Sequence, residues 1–308
     1  MEPRARRAVP FSLSSEIMDN AGKSEKAWTI QELLKWAAED FANRGIDTPR
    51  LDAELLLAFA LSVKRVDLYL RFDQVPDPEA LGRFRDAVKR RRDREPVAYI
   101  IGLKGFHAIE LVTERGVFVP RPETELLVDE AAARLKDTTA PLILEIGGGT
   151  GAVTLALAAA LPSARLWATD LDPRAVELTR ANARRLGFEE RVAVIQGDLF
   201  APVKDMVPFD LIVCNPPYVP HPELDRLMPE VRDHEPALAL DGGPDGMDFI
   251  RRLIAEAPER MKALGWLMLE VGEGQAAAVA AMAGAELHHE STRKDLRGVP
   301  RIVIFRKK

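Results

Sequence analysis

The segment from Leu142 to Leu161 constrains this chain more than any other. An apolar strand pattern, Leu142 to Ile146, runs straight into Gly147-Gly148-Gly149-Thr150-Gly151 and then into an apolar helical stretch from Ala152. Glycines in such a turn permit positive φ and let a ligand approach the backbone, while the amides that open the following helix face it. A strand, a glycine turn and a helix in that order belong to an α/β fold with a parallel sheet, whose ligands sit at the carboxyl ends of the strands. The ligand is not yet decided. Gly147 to Ala152 also satisfies the dinucleotide fingerprint G-x-G-x-x-A, and Asp170 lies about 20 residues on, where an acid would hold a ribose.

The rest of the chain supports that fold class. Apolar strand candidates recur at Arg165 to Thr169, Val192 to Ile195, Leu211 to Cys214, Trp266 to Val271 and Arg301 to Phe305, and helical stretches separate most of them. Between Tyr99 and Pro120 the period drops toward two, punctuated by Gly102, Gly105 and Gly116, which predicts a β-hairpin. Upstream the pattern is helical. Thr29 caps a helix carrying Ile30, Leu33, Leu34, Ala37, Ala38 and Phe41, which Gly45 ends; a second helix begins at Asp47-Thr48-Pro49, with Leu51, Leu55, Leu56 and Phe59 on its apolar side. A third, with Leu81, Phe84 and Val88, follows Pro76-Asp77-Pro78, and its Lys89 to Arg92 run reads as a solvated face. The expected division is a flexible leader over residues 1–26, a small all-helical domain over 27–98, a hairpin linker over 99–120 and an α/β domain over 121–308, and 308 residues suffice for two domains.

Glu145 narrows the choice of ligand. A carboxylate beside the turn is unfavourable next to a pyrophosphate but suits the ammonium and sulfonium of S-adenosylmethionine. Gly151 extends the pattern to E-x-G-x-G-x-G, the form seen in adenosylmethionine-dependent methyltransferases. On that reading Glu145, Gly147, Gly148, Gly149, Thr150 and Gly151 hold the cofactor, Asp170 accepts both ribose hydroxyls, and Asp198 and Leu199 meet the adenine.

The apolar run Phe209 to Cys214 delivers Asn215-Pro216-Pro217-Tyr218. Two prolines fix φ and remove two donors, so Asn215 and Tyr218 flank a stiff turn. The Asn215 side-chain carbonyl and the Pro216 carbonyl suit the two hydrogens of a planar NH2 group, with Tyr218 over its face. Such nitrogens are poor nucleophiles, and orienting one in line with a methyl donor is the main catalytic task. Asn215, Pro216 and Tyr218 are therefore the candidate catalytic residues, Pro217 joins them in binding substrate, and Asn215 also touches the cofactor at its periphery.

Charge and cysteine content exclude other classes. Lys and Arg total 43 against 48 Asp and Glu, a net charge of -5, which gives no basic face for stable nucleic-acid binding. The single cysteine, Cys214, cannot form an internal disulfide, and His107, His221, His234, His288 and His289 show no metal-ligand spacing. No apolar run approaches the ~20 residues of a membrane span. A cytoplasmic protein without metal or membrane attachment is expected, monomeric by default.

The chain resembles the HemK/PrmC family of protein-(glutamine-N5) methyltransferases from about residue 28 to its end. The resemblance rests on Asp52 to Leu57, Arg94 to Gly102, Pro120-Arg121-Pro122-Glu123-Thr124-Glu125, the glycine loop, Asn215 to Tyr218, Glu235 to Leu238, Asp245-Gly246 and Asp295 to Gly298. Gly148 stands where many members carry Thr or Cys, and leaves space there. The resemblance implies a Rossmann-like class I S-adenosylmethionine-dependent methyltransferase fold with a seven-stranded sheet, an N-terminal helical domain that grips the substrate protein, and a β-hairpin joining them. It also implies methylation of the glutamine in the Gly-Gly-Gln loop of class 1 peptide chain release factors, giving N5-methylglutamine and S-adenosylhomocysteine. Adenine-N6 nucleic-acid methylation and ribosomal-protein glutamine methylation are the alternatives.

Overall fold

The computed structural model describes residues 27–308; the leader expected over residues 1–26 lies outside them. Helix α1 (Ile30–Asn43) starts where the sequence places a cap. Thr29 Oγ1 accepts from the Glu32 amide at 3.3 Å, and the Glu32 carboxylate accepts from the Thr29 amide at 3.0 Å. Gly45, at φ +69°, turns the chain out of the helix.

Helix α2 (Pro49–Leu61) is rotated from its expected face. Leu51 and Phe59 are exposed, and the buried positions are Ala53, Leu56, Leu57, Ala58 and Ala60, with Asp52 and Glu54 among them. Two acids go inside because each finds partners there. Asp52 accepts from Arg91 Nε at 2.7 Å and from Thr48 Oγ1 at 2.8 Å. Glu54 accepts from Arg50 Nε at 2.6 Å and from the Tyr69 hydroxyl at 2.7 Å.

Arg91 belongs to α3 (Pro78–Arg92), so the basic run is not simply a solvated face. Arg91 is buried on Asp52, and Arg92 forks over Asp40 at 2.8 and 2.9 Å. The described residues up to Arg92 form one compact unit and Asp93–Lys308 a second.

In the second unit the hairpin is shorter than expected. Residues Val97–Ile101 form helix α4, because Pro96 sits at its N-cap and Gly102, at φ +77°, ends it. The hairpin proper is β1 (Leu103–Phe106) against β2 (Ile109–Val112), paired antiparallel from Leu103↔Val112 to Phe106↔Ile109. Val117 and Val119 are buried in the segment that follows, which belongs to no strand and opens with a turn in which the Val117 amide donates to the Glu114 carbonyl.

Seven strands form the main sheet: β3 (Leu142–Ile146), β4 (Arg165–Asp170), β5 (Val192–Gln196), β6 (Phe209–Cys214), β7 (Met261–Glu270), β8 (Leu287–Lys294) and β9 (Pro300–Lys307). Their order is β5-β4-β3-β6-β7-β9-β8. The first five in that row run parallel; β9 is antiparallel to both β7 and β8. Period-two alternation sends Ile143, Leu211 and Val213 to one face and Leu144, Ile146, Ile212 and Cys214 to the other. Helices α5 (Glu125–Leu135), α6 (Ala152–Ala160) and α7 (Pro173–Leu186) cover the first face. The second is covered by α8 (Asp248–Glu256) and α9 (Ala276–Ala280). Both faces are buried, which is why the parallel strands read as continuous apolar runs.

Candidate active site

The carboxyl ends of β3, β4, β5 and β6 open into a cavity of about 590 Å³. Glu145, Gly147, Gly148, Gly149, Thr150, Asp170, Asp198, Leu199 and all of Asn215 to Tyr218 line it. The glycine loop takes its shape from three positive φ angles, +77° at Gly147, +58° at Gly149 and +84° at Gly151. Gly147 donates to the Thr169 carbonyl at 2.8 Å and Thr179 Oγ1 donates to that of Gly149 at 2.9 Å, so the loop is tied to β4 and α7.

Two glycines differ from expectation. Gly151 does not line the cavity: a Cβ there would stand 2.9 Å from Leu155 Cδ1 and from Thr179 Cγ2, so its bareness serves packing. Gly148 is not an open space either, because an added Cβ would meet Ala168 Cβ at 3.2 Å.

The acids of the loop are partly engaged. Glu145 is buried, and its Oε2 accepts from the Thr154 amide at 2.9 Å and from the Thr154 hydroxyl. Burial pushes its carboxyl up to about 8, against the pull of those two bonds. Asp170 accepts from the Gly149 amide at 2.8 Å through one oxygen and from the Asp172 amide at 2.9 Å through the other. Burial raises its pKa too, while these amides oppose the rise. Each oxygen keeps a second lone pair for a ligand hydroxyl. Asp198, half exposed, pairs with Arg252 at 2.6 Å; Leu199 is buried at φ +45°, its carbonyl accepting from Thr169 Oγ1.

The Asn215 to Tyr218 turn leaves β6 beside the loop, since Cys214 and Ile146 are register partners. Cys214 itself is wholly buried, and burial raises its thiol pKa far from reactivity. Three residues that sequence reasoning did not assign brace this turn. Asn215 Nδ2 donates to Thr124 Oγ1 at 3.1 Å, and Thr124 Oγ1 donates to Glu270 Oε2 at 2.6 Å. The Tyr218 hydroxyl makes a longer contact, 3.5 Å, with Glu270 Oε1. Gln275 Nε2 donates to the Tyr218 carbonyl at 2.9 Å while its Oε1 accepts from the Gly272 amide at 2.9 Å. Thr124 lies inside the Pro-Arg-Pro-Glu-Thr-Glu segment, and Glu270 is the acid that closes an apolar strand at its carboxyl end; those were the available signals.

The cavity thus sets the glycine turn and the Asp170 carboxylate, on the β3 and β4 side, opposite the Asn215 to Tyr218 turn on the β6 side. An open seven-stranded sheet in this order, with that loop after its first strand, defines an S-adenosylmethionine-dependent methyltransferase. Residues 32–102 match the PrmC N-terminal domain, and residues 108–230 match the methyltransferase small domain. The release factor glutamine methyltransferase of Geobacter sulfurreducens is 42% identical over 277 residues, spanning 90% of this chain and 96% of that protein. Its counterpart in Rhodopirellula baltica is 38% identical, spanning 92% of this chain and 98% of that one, and in Caulobacter vibrioides 39%, spanning 91% and 94%. The chain belongs to the release factor glutamine methyltransferase family.

Proposed function

We propose that the protein methylates the side-chain amide nitrogen of the glutamine in the Gly-Gly-Gln loop of class 1 peptide chain release factors. S-adenosylmethionine supplies the methyl group as an electrophile on sulfur. Asp170 would hold the ribose hydroxyls, Asp198 and Leu199 would meet the adenine, and the Gly147 to Thr150 loop would lie along the methionine end, the amides of Gly147, Gly148 and Gly149 being engaged by Thr169 and Asp170. Glu145 answers its positive charge, which favours the ionised carboxylate. The carrying observation is the hydrogen bond from Asn215 Nδ2 to Thr124, which leaves Asn215 Oδ1 as the free end of that amide.

Asn215 Oδ1 and the Pro216 carbonyl accept the two hydrogens of the glutamine NH2, and Pro217 and Tyr218 close over the group. The nitrogen then faces the methyl carbon in line. The bound donor would supply the methyl carbon with sulfur as its leaving group, and the nitrogen held by Asn215 and Pro216 would shed one proton to water. Two fixed acceptors stabilise the positive charge that grows on nitrogen. The helical unit supplies a docking surface, for which its exposed Val66, Tyr69 and Leu70 are suited. On this reading the protein works in the cytoplasm as a monomer, with release factors as its partners and without stable nucleic-acid or membrane attachment. Among the described residues no helix is long and apolar enough to cross a membrane, and no His, Cys, Asp and Glu group could hold a metal ion.

The test offers release factor, ribosomal protein and DNA in parallel to wild type and Asn215→Ala. Release factor is the expected substrate. In the variant, adenosylmethionine affinity by calorimetry should persist while methyl transfer falls on the order of a hundredfold. Preference for DNA, or normal turnover in Asn215→Ala, refutes the reading.

A further inference from the structure

Asn215 has two ends, and only one serves the reaction. The carbonyl end accepts a hydrogen from the substrate NH2; the amino end would set donor against donor. We propose that Thr124 and Glu270 are positioning residues that select the end, through a hydrogen-bond chain whose direction is set by whether Glu270 carries a proton. This rests on the reading of Asn215 as acceptor for the substrate amide.

The argument is one of counting hydrogens. A threonine hydroxyl has one to give, and an ionised carboxylate can only accept. Glu270 Oε2, 2.6 Å from Thr124 Oγ1, therefore takes that hydrogen when Glu270 is charged. Thr124 can then only accept from Asn215, 3.1 Å away, so Nδ2 must point to Thr124 and Oδ1 to the cavity. A Glu270 that carries its proton on Oε2 reverses every link. It donates to Thr124, whose hydrogen is freed to bond Oδ1 of an Asn215 amide turned by half a revolution, and Nδ2 then faces the substrate.

The surroundings of Glu270 permit both states. It is buried at the end of β7, with Thr124 and Glu123 above it, Tyr218 from the turn after β6 and Arg301 from β9. Burial raises its carboxyl to about 7; Thr124, Arg301 and Tyr218 pull it down and Glu123 pushes it up. Arg301 is itself held by Asp295 at 3.1 Å, so its charge is shared rather than committed to Glu270. Tyr218, pushed up to about 12 by burial and Glu270, stays a neutral donor throughout.

The test measures kcat and KM for intact release factor against pH in the full chain. Wild-type kcat should fall as pH drops through the ionisation of Glu270, with KM and cofactor affinity steady. Glu270→Gln should flatten that acid limb, because the group no longer titrates. Thr124→Val should lower kcat about tenfold with KM and cofactor Kd within about twofold, the size expected for one hydrogen bond. Thr124→Ser should restore both rate and acid limb; if Glu270→Gln fails to fold, the valine and serine pair still decides. An unchanged acid limb in Glu270→Gln, or full kcat with an unchanged acid limb in Thr124→Val, overturns the proposal. Asn215→Ala separates the two readings: if it is active the acceptor role itself is wrong, and if it is inactive while the Thr124 and Glu270 variants behave as wild type, only the relay is wrong.

Discussion

Asn182 binds Val112 as a neighbouring strand would. From the fully buried middle of α7 its Oδ1 accepts from the Val112 amide at 2.8 Å and its Nδ2 donates to the Val112 carbonyl at 3.0 Å, and also to the Thr150 carbonyl at 2.9 Å. One side chain thus secures both the β1–β2 hairpin and the glycine loop. Asn182→Ala strands these groups away from water, and urea unfolding should show a loss of about 2 to 4 kcal/mol. Cleavage by protease within residues 103–112 should accelerate in the variant; unchanged stability would count against the clamp.

A second prediction concerns the buried pair Asp52 and Arg91. Asp52→Ala removes the buried carboxylate that Arg91 Nε donates to and should destabilise by about 3 to 5 kcal/mol. Replacing both, Asp52→Leu with Arg91→Met, should recover most of that loss, because desolvation nearly cancels attraction in such pairs. Chemical denaturation of the single and double variants checks both halves.

For Asp170, the two oxygens already hold the Gly149 and Asp172 amides. Removing them in Asp170→Ala slackens the loop and deletes the proposed ribose acceptor together. Calorimetry should show adenosylmethionine affinity falling about tenfold to a hundredfold. An unaltered Kd would place the ribose elsewhere.

Glu145 predicts a pH dependence of stability. Its folded pKa, about 8, lies above the ordinary 4.5, so the fold prefers the protonated form. That preference contributes fully below the unfolded pKa and is lost as pH rises through the folded one. Glu145→Gln keeps an acceptor for Thr154 and carries no charge. Its stability relative to wild type, in the absence of cofactor, should therefore climb between about pH 5 and about pH 9, reaching a few kcal/mol at most. Parallel melting curves with pH check this, and a constant difference would contradict it.

The sheet and the main residues of the cavity were readable in the sequence because parallel strands buried on both faces leave long apolar runs, and because positive φ leaves glycines. Strand β8 was not readable. It lies at the sheet edge with only Leu287 buried, so Leu-His-His-Glu-Ser-Thr-Arg-Lys has no pattern to display. The face of α2 was misread because hydrophobicity ranks Leu51 and Phe59 above Asp52 and Glu54, whereas burial was decided by arginines, a threonine and a tyrosine elsewhere in the helical unit. Thr124 and Glu270 escaped for a related reason. They are 146 residues apart, and their hydrogen bond exists only once β7 and the segment before α5 meet.

The register between Ile146 and Cys214 has one more consequence. The glycine loop and the Asn-Pro-Pro-Tyr turn begin one interstrand spacing apart, roughly 4.8 Å, a length set by backbone hydrogen bonds rather than by any side chain. The separation of the points where loop and turn leave the sheet is then a lattice constant of the sheet. Side-chain substitutions around the rim leave that separation in place, because backbone pairing sets it.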